Sequence, residues 1–375
     1  MESVESLFDS ERRELAEEYN KKKKWNNKIG IFFNILFWLM FFLFSFETKL
    51  LAMINDIFSR GEFIILLYIF SFYFIYSLFQ VILDYYLGYK LSRKYDLSSQ
   101  DSSEWFVDQV KSFILGLIFF YLAVRTYLYL ANNYPQYWWV YFSIVATIFV
   151  LVITFIFPTV LLPIFFKLES YPESELKDRL MNLIKKTGLE IDDIYEINLS
   201  TKINAANAAV MGLGSTRKVV LGDRLKEKYS YDEIEAVLAH ELGHQVHGDI
   251  FKNLLIQPVG FLIISFIISQ LWPAIASWFG YQGITGVHTI PLLMILAGFL
   301  SWVLTPLQLY LSRKFEKAAD LYAIEITDKA EKLASAMAKL ADEALAPLEV
   351  SKYKRIFKLS HPPMKERVEY ILENS

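Results

Sequence analysis

The chain has 375 residues, no cysteine and a formal net charge of −3. Zero cysteine excludes disulfides, thiolate metal sites and cysteine nucleophiles, and near-neutral charge excludes the basic face that a nucleic-acid partner needs. Hydrophobic residues make up 54% of the chain and aromatic residues 17%, against about 45–50% apolar in soluble domains, and the excess falls in blocks.

Residues 1–27, rich in Glu and Lys, read as a short amphipathic or frayed helix on the cytoplasmic side. Apolar blocks follow, each near the roughly 20 residues that a bilayer core requires of a helix. They cover 29–46, 63–83, 113–130 (interrupted by Arg125) and 138–166, which carries Pro158 and Pro163 near its end. After a polar gap, 254–279 and 290–311 make a fifth and a sixth. So many runs exclude a soluble helical core. The first block is too long for a signal peptide, and no small-residue cleavage site follows it.

Lys and Arg in short loops orient the spans. Lys21, Lys22, Lys23 and Lys24 precede the first span and place the N-terminus inside. The next inward loop holds Lys90, Arg93, Lys94 and Lys111, and the first outward loop holds only Lys49 and Arg60. The outward loops 132–136 and 280–289 hold no Lys or Arg. Six spans then leave 167–253 and 312–375 both on the cytoplasmic side, where topology can bring them together. Asp84, Asp108, Lys111 and Arg125 lie in or beside spans and are expected to face protein or water rather than lipid.

Residues 240–244 read His-Glu-Leu-Gly-His. Ser230 with Glu233 forms a capping-box signature, so a helix is expected from Tyr231 to about His247, ending near Gly248. Positions i and i+4 share a helix face, so His240 and His244 can reach one metal ion. Glu241, beside the first of them, can take a proton from an attacking water. Imidazole ligands with an open position suit zinc, one ion per chain. The bland alternative, two surface histidines, fits poorly: of five histidines in the chain, His240, His244 and His247 fall together, and Ile234, Ala236, Val237 and Leu238 mark a buried helix. The three-residue step to His247 makes it a neighbour rather than a ligand. Glu316 and Asp320, again i and i+4, could supply a third ligand and an acceptor for a ligand histidine. Equally, they could form a salt-bridged surface helix with Arg313 and Lys317.

From Asn204 to Asp223 the chain alternates around Gly212 and Gly214, as two strands joined by a glycine turn would. An exposed edge strand there would hold an extended peptide near the metal.

These motifs resemble those of the type I CAAX prenyl endopeptidases, integral-membrane zinc proteases related to the HtpX-type quality-control proteases. The resemblance runs from about residue 95 to the C-terminus. Its pieces are Asn207-Ala208 with the segment Arg217 to Asp223, the zinc helix His240 to His244, Ser312-Arg313 with Glu316 and Ala319-Asp320, and Ser360-His361-Pro362-Pro363 with Arg367. It implies that Glu316 is the third ligand, that His361 is a donor to the transition-state oxyanion, and that Asn207, Ala208 and Arg367 contact substrate. The eukaryotic members that mature prenylated proteins have seven spans, and in the family the spans enclose a chamber; six are counted here, with one early span missing.

The expected fold is mainly α: a polytopic helical barrel or bundle of about six to seven spans with a cytoplasmic, zincin-like α+β catalytic domain. Its parts are a cytoplasmic segment 1–27, four spans in 28–166, the first part of the protease domain in 167–253, two spans in 254–311 and the second part in 312–375. The expected activity is that of a zinc metalloendopeptidase, with catalytic Glu241 and His361, ligands His240, His244 and Glu316, and Asp320 behind them. Peptide or protein substrates, prenylated by the resemblance, and the lipid bilayer are its partners. The competing readings are a quality-control protease, a transporter with a structural zinc, and an inactive scaffold; Glu241 argues against the last.

Overall fold

Among the residues described by the computed structural model (4–59, 61–191 and 193–375), six helices are long and apolar enough to cross a membrane. The first, α1 (Ser10–Leu43), is capped by the Asp9 carboxylate, which accepts from Arg12 N. It carries both the lysine run and the first apolar block. The separate N-terminal helix expected over 1–27 is therefore the start of one continuous rod, because nothing between Ser10 and Lys28 breaks a helix. The expected outward loop contains a further helix, α2 (Phe46–Ile57). Its 12 residues rise about 18 Å, too short to span. Arg60, placed in the same loop by the charge reading, lies outside the described residues.

Helix α3 (Gly61–Asp84) continues through a π-helical turn, Tyr85–Tyr89, into α4 (Lys90–Lys94). Helix α5 (Ser102–Asn133) opens on an Asp101–Glu104 capping box. Helix α6 (Trp138–Ile156) passes through a second π-helical turn, Phe157–Leu161, into α7 (Leu162–Phe165). Pro158 sits in that turn; it lacks an N–H and widens the helix locally.

The catalytic half begins with β1 (Leu168–Ser170) and α8 (Glu175–Thr187), followed by β2 (Ile194–Ile197), β3 (Ala208–Met211) and β4 (Lys218–Gly222). The sheet order is β1-β2-β4-β3, with β2 and β4 parallel and the outer pairs antiparallel. The expected hairpin is β3–β4, and Gly212, at φ 87°, makes its turn. A Cβ there would lie 2.3 Å from Thr216 O. Strand β3 lies at one edge of the sheet. Helix α9 (Leu225–Lys228) leads into α10 (Tyr231–Val246), which bears the His-Glu-Leu-Gly-His motif. The chain then recrosses the membrane as α11 (Asp249–Trp278) and α12 (Ile290–Thr327). Helices α13 (Ala330–Glu343), α14 (Lys352–Phe357) and α15 (Met364–Glu373) close the catalytic half.

Two cores result. In the catalytic half, Leu180, Ile194, Ile234, Leu238, Ala334 and Val368 are fully buried. In the membrane half, Tyr68, Phe72 and Trp272 fill the interior. The N-terminus straps the halves together. Phe8 enters the catalytic core, and Arg12 and Arg13 donate to the carbonyls of Ala341, Asp342, Glu343 and Ala346 at the end of α13.

The intramembrane charges are mostly paired. Arg125 meets Glu62 at 2.8 Å, while Asp108 holds Lys111 at 3.4 Å and Lys202. Asp84 lines a cavity of about 900 Å³ between α1, α3 and α12, together with Asn34 and Gln80.

Candidate metal centre

Helix α10 starts as its sequence dictates. Ser230 Oγ accepts from Glu233 N at 3.3 Å, and Glu233 Oε2 accepts from Ser230 N at 2.8 Å. The buried Glu233 carboxylate also takes Ser335 and Lys339 of α13. Burial opposes its charge, but these donors prevail and hold its pKa below the usual carboxylate value. The helix ends at Val246, and Gly248, at φ 67°, turns the chain into α11.

Gly243 decides how closely α10 and α12 approach. A Cβ on it would lie 3.1 Å from Tyr322 Cδ1 and 3.2 Å from Ala319 Cα. Glycine in the motif, opposite Ala319, lets the two backbones cross where Glu316 and Asp320 face the histidines. The salt-bridged surface alternative for this stretch of α12 is excluded. Arg313 and Lys317 turn to other partners, and Glu316 and Asp320 are buried.

His240, His244 and Glu316 each present a ligand atom within 4.8 Å of the other two. Glu316 Oε2 is 3.5 Å from His240 Nε2, and Oε1 is 3.4 Å from His244 Nε2. Two ligands ~2.1 Å from a tetrahedral ion stand ~3.4 Å apart. Each imidazole has its other nitrogen held: His240 Nδ1 is 2.9 Å from Asp320 Oδ1, and His244 Nδ1 is 2.9 Å from Asp249 Oδ2. This turns both Nε2 atoms toward Glu316, where a metal would sit, although Arg367 Nη2 also lies 3.0 Å from His240 Nε2. Glu316 Oε2 is buried and accepts no hydrogen bond, although His361 Nδ1 approaches to 2.8 Å and Arg367 Nη1 to 3.3 Å. A buried carboxylate whose two oxygens each stand about one ligand–ligand separation from a histidine Nε2 fits a cation.

The carboxylates around the histidines favour their charged forms. Burial disfavours charge on His244, but Glu316 and Asp249 prevail and push its pKa up to about 9. Burial and Arg367 oppose charge on His240, yet Asp320 and Glu316 still raise its pKa. A metal ion would displace these protons.

Asp249 was not singled out in the sequence. The available signal was an acid just past Gly248, one turn beyond His244. Its other oxygen takes Lys252 at 2.9 Å. Arg367, expected against substrate, lies beneath the ligands and is only 4% exposed. It grips Asp320 through two hydrogen bonds of 2.7 and 2.8 Å and lies 3.1 Å from His240 Nδ1. A buried bidentate pair of this kind fixes a ligand histidine and leaves no guanidinium for a peptide. His247 stands outside the cluster, its ring edge-on to Tyr322. His288 packs against Tyr281 in the loop before α12. Glu241 is half-buried, and His361 remains 55% exposed at the side chain.

The chain is similar to known proteins along its whole length. Residues 170–375 match the model of peptidase family M48. Residues 2–167 match the CAAX prenyl protease N-terminal model, described as five membrane helices. The likeness thus begins far earlier than residue 95. In that region the structure has four apolar crossing helices and the short α2. An uncharacterized metalloprotease, YhfN, of Bacillus subtilis is 30% identical, aligning 76% of this chain with 68% of its own. CAAX prenyl protease 1 of Saccharomyces cerevisiae is 27% identical over 76% of this chain and 67% of its own. The crystal structure of S. mikatae Ste24p superposes with a TM-score of 0.89 at 23% identity, covering 98% of this chain and 91% of that one.

Proposed function

This chain belongs to peptidase family M48 and is a membrane metalloprotease resembling the CAAX prenyl proteases, and from that premise we propose that it is a zinc endopeptidase acting at the cytoplasmic membrane surface on prenylated protein C-termini. The carrying observation is the convergence of His240, His244 and Glu316 with Glu241 beside them and uncommitted to the cluster. A structural zinc in a transporter would have four protein ligands and no need of that glutamate.

Zinc bound there supplies Lewis-acid polarisation of the scissile carbonyl and a lowered pKa for water. Glu241 takes the proton of the attacking water and delivers it to the leaving amine. His361 reaches the open side of the site from beside Glu316 and donates to the oxyanion. Asp320 and Asp249 hold the two histidines in the tautomer that turns Nε2 inward, and Arg367 holds Asp320 in place.

Strand β3 presents the peptide. Asn207 O accepts from Gly222 N at 2.8 Å, so by antiparallel alternation Ala208 and Val210 turn their main-chain groups to the outer edge. Gln245 Nε2 takes Val210 O at 3.1 Å and ties the strand to α10 one residue beyond His244. Ala208, itself only 6% exposed, turns its N–H and C=O to the same edge, where a substrate strand would pair.

The lysine run on α1 sets the N-terminus inside. The six crossings then return both ligand-bearing segments to that side. Impermeant labels at Ser375 and Ile284 in oriented vesicles should react from opposite faces; reaction from one face would overturn the assignment. For the chemistry, a farnesylated CAAX peptide and its unmodified counterpart are digested with and without a zinc chelator. Cleavage of the farnesylated peptide alone, abolished by chelator and restored by zinc, is expected. Equal cleavage of both would favour a quality-control protease.

A further inference from the structure

Arg313 has no part in the steps above, yet it stands one helical turn before Glu316 on α12. Among the described residues no carboxylate lies within ion-pairing distance of it. Its Nη1 instead donates to Arg355 O at 2.9 Å and to Leu359 O at 2.7 Å. These carbonyls lie at and just past the end of α14, where helix carbonyls lack intrahelical donors. Phe357, between them, stacks on Trp302 of α12 at 5.2 Å and 20°. Two residues beyond Leu359 comes His361, more than half exposed, with its ring nitrogen 2.8 Å from Glu316 Oε2. Pro362 and Pro363 stiffen the chain on its far side. The ring is thus held mainly through its backbone, and that backbone is tied to α12 by the Phe357–Trp302 stack and by the only side-chain hydrogen bonds between them among the described residues, those of one guanidinium.

We infer that Arg313 is a positioning residue: it sets His361 in register with Glu316 by fastening the 355–359 segment to the helix that carries Glu316. The inference rests on His361 acting as the oxyanion donor. Arg suits the task because one nitrogen directs two hydrogens from a fixed plane; a lysine has the charge but not the fixed geometry.

The test uses the full-length, zinc-loaded protein in lipid nanodiscs, with Arg313→Ala, Arg313→Lys, His361→Ala and the double alanine variant. Arg313→Ala should keep its metal and its KM while kcat falls about tenfold to a hundredfold, the cost of misplacing a catalytic group by about 1 Å. Arg313→Lys should recover part of that loss. In the His361→Ala background, Arg313→Ala should change kcat by less than about threefold, because coupled residues do not add. Backbone amides of 356–361 should exchange hydrogen faster in Arg313→Ala. Losses that multiply in the double variant, loss of metal, or an unaltered kcat would overturn the inference. If His361→Ala alone keeps full kcat, the oxyanion reading falls instead. The tie is then judged on exchange, and unchanged exchange would overturn it as well.

Discussion

The two halves of this molecule bury their side chains by opposite rules. In the catalytic half, Leu180, Ile194 and Ile234 are fully inside and charge lies at the surface or in pairs. In the membrane half, Phe32, Ile35, Leu43 and Trp278 are exposed on the helices, and polar groups such as Ser143 and Ser265 turn inward to bond each other at 2.6 Å. Helix α12 crosses from one regime to the other. Its early face, with Phe299 and Val303, is exposed, whereas Glu316, Ala319, Asp320 and Ala323 are buried. The difference teaches where buried charge is tolerated. Taking carboxylates out of water is costly unless cations and hydrogen bonds surround them. Glu316 and Asp320 have two imidazoles and Arg367 around them, with room for a metal.

The sharpest break in this comparison is removal of the carboxylate itself. Glu316→Ala should leave the purified protein metal-free and inactive, because two histidines alone leave an incomplete ligand set. His247→Ala should retain its metal, since its ring packs on Tyr322 away from the cluster. Metal analysis decides; a metal-free His247 variant beside a loaded Glu316 variant would reverse the ligand set. Next in size, Glu241→Gln should keep the metal and lower kcat by about 10³-fold, within the range of positioned acid–base catalysis. Near-normal turnover would remove Glu241 from the chemistry.

How much of this was legible beforehand follows from the range of the forces. The capping box of α10, the i,i+4 pairs and the glycine hairpin are local patterns, and each stands where the sequence puts it. The six apolar runs are equally plain, because lipid leaves a helix to satisfy its own backbone. Spacing alone could not choose between ligand and salt bridge for Glu316. That choice rests on Gly243 meeting Ala319, a contact between distant helices. The place of Arg367 under His240 is likewise tertiary. So is the strap of Arg12 and Arg13 on the end of α13, which anchors the N-terminal end of α1. Helix α2 was hidden in a loop because 12 residues fall short of any spanning signal.

Asp249 gives an intermediate effect. It bonds His244 Nδ1 at 2.9 Å from the very start of α11, so it orients a ligand without touching the metal. Asp249→Asn should weaken metal affinity about 10–100-fold, the usual cost of losing such a partner. Competition with a calibrated chelator would measure it, and unchanged affinity would show that α10 alone orients the ring.

The smallest effect tests the burial rules directly. Leu180 is 0% exposed in the catalytic core, while Ile35 is 63% exposed on α1 within the first apolar block. Truncating Leu180 to Ala removes contacts that water cannot replace and leaves a cavity, so it should destabilise by about 2–5 kcal/mol. Truncating Ile35 to Ala leaves no enclosed cavity, because the side chain stands exposed at the wall of the open cavity between α1, α3 and α12. The helix loses no packed partner, and the change should stay within about 0.5 kcal/mol. Thermal denaturation of both variants in the same bilayer mimetic compares them. If Ile35→Ala cost as much as Leu180→Ala, that face of α1 would be packed against protein, and the membrane half would be one part of a larger assembly.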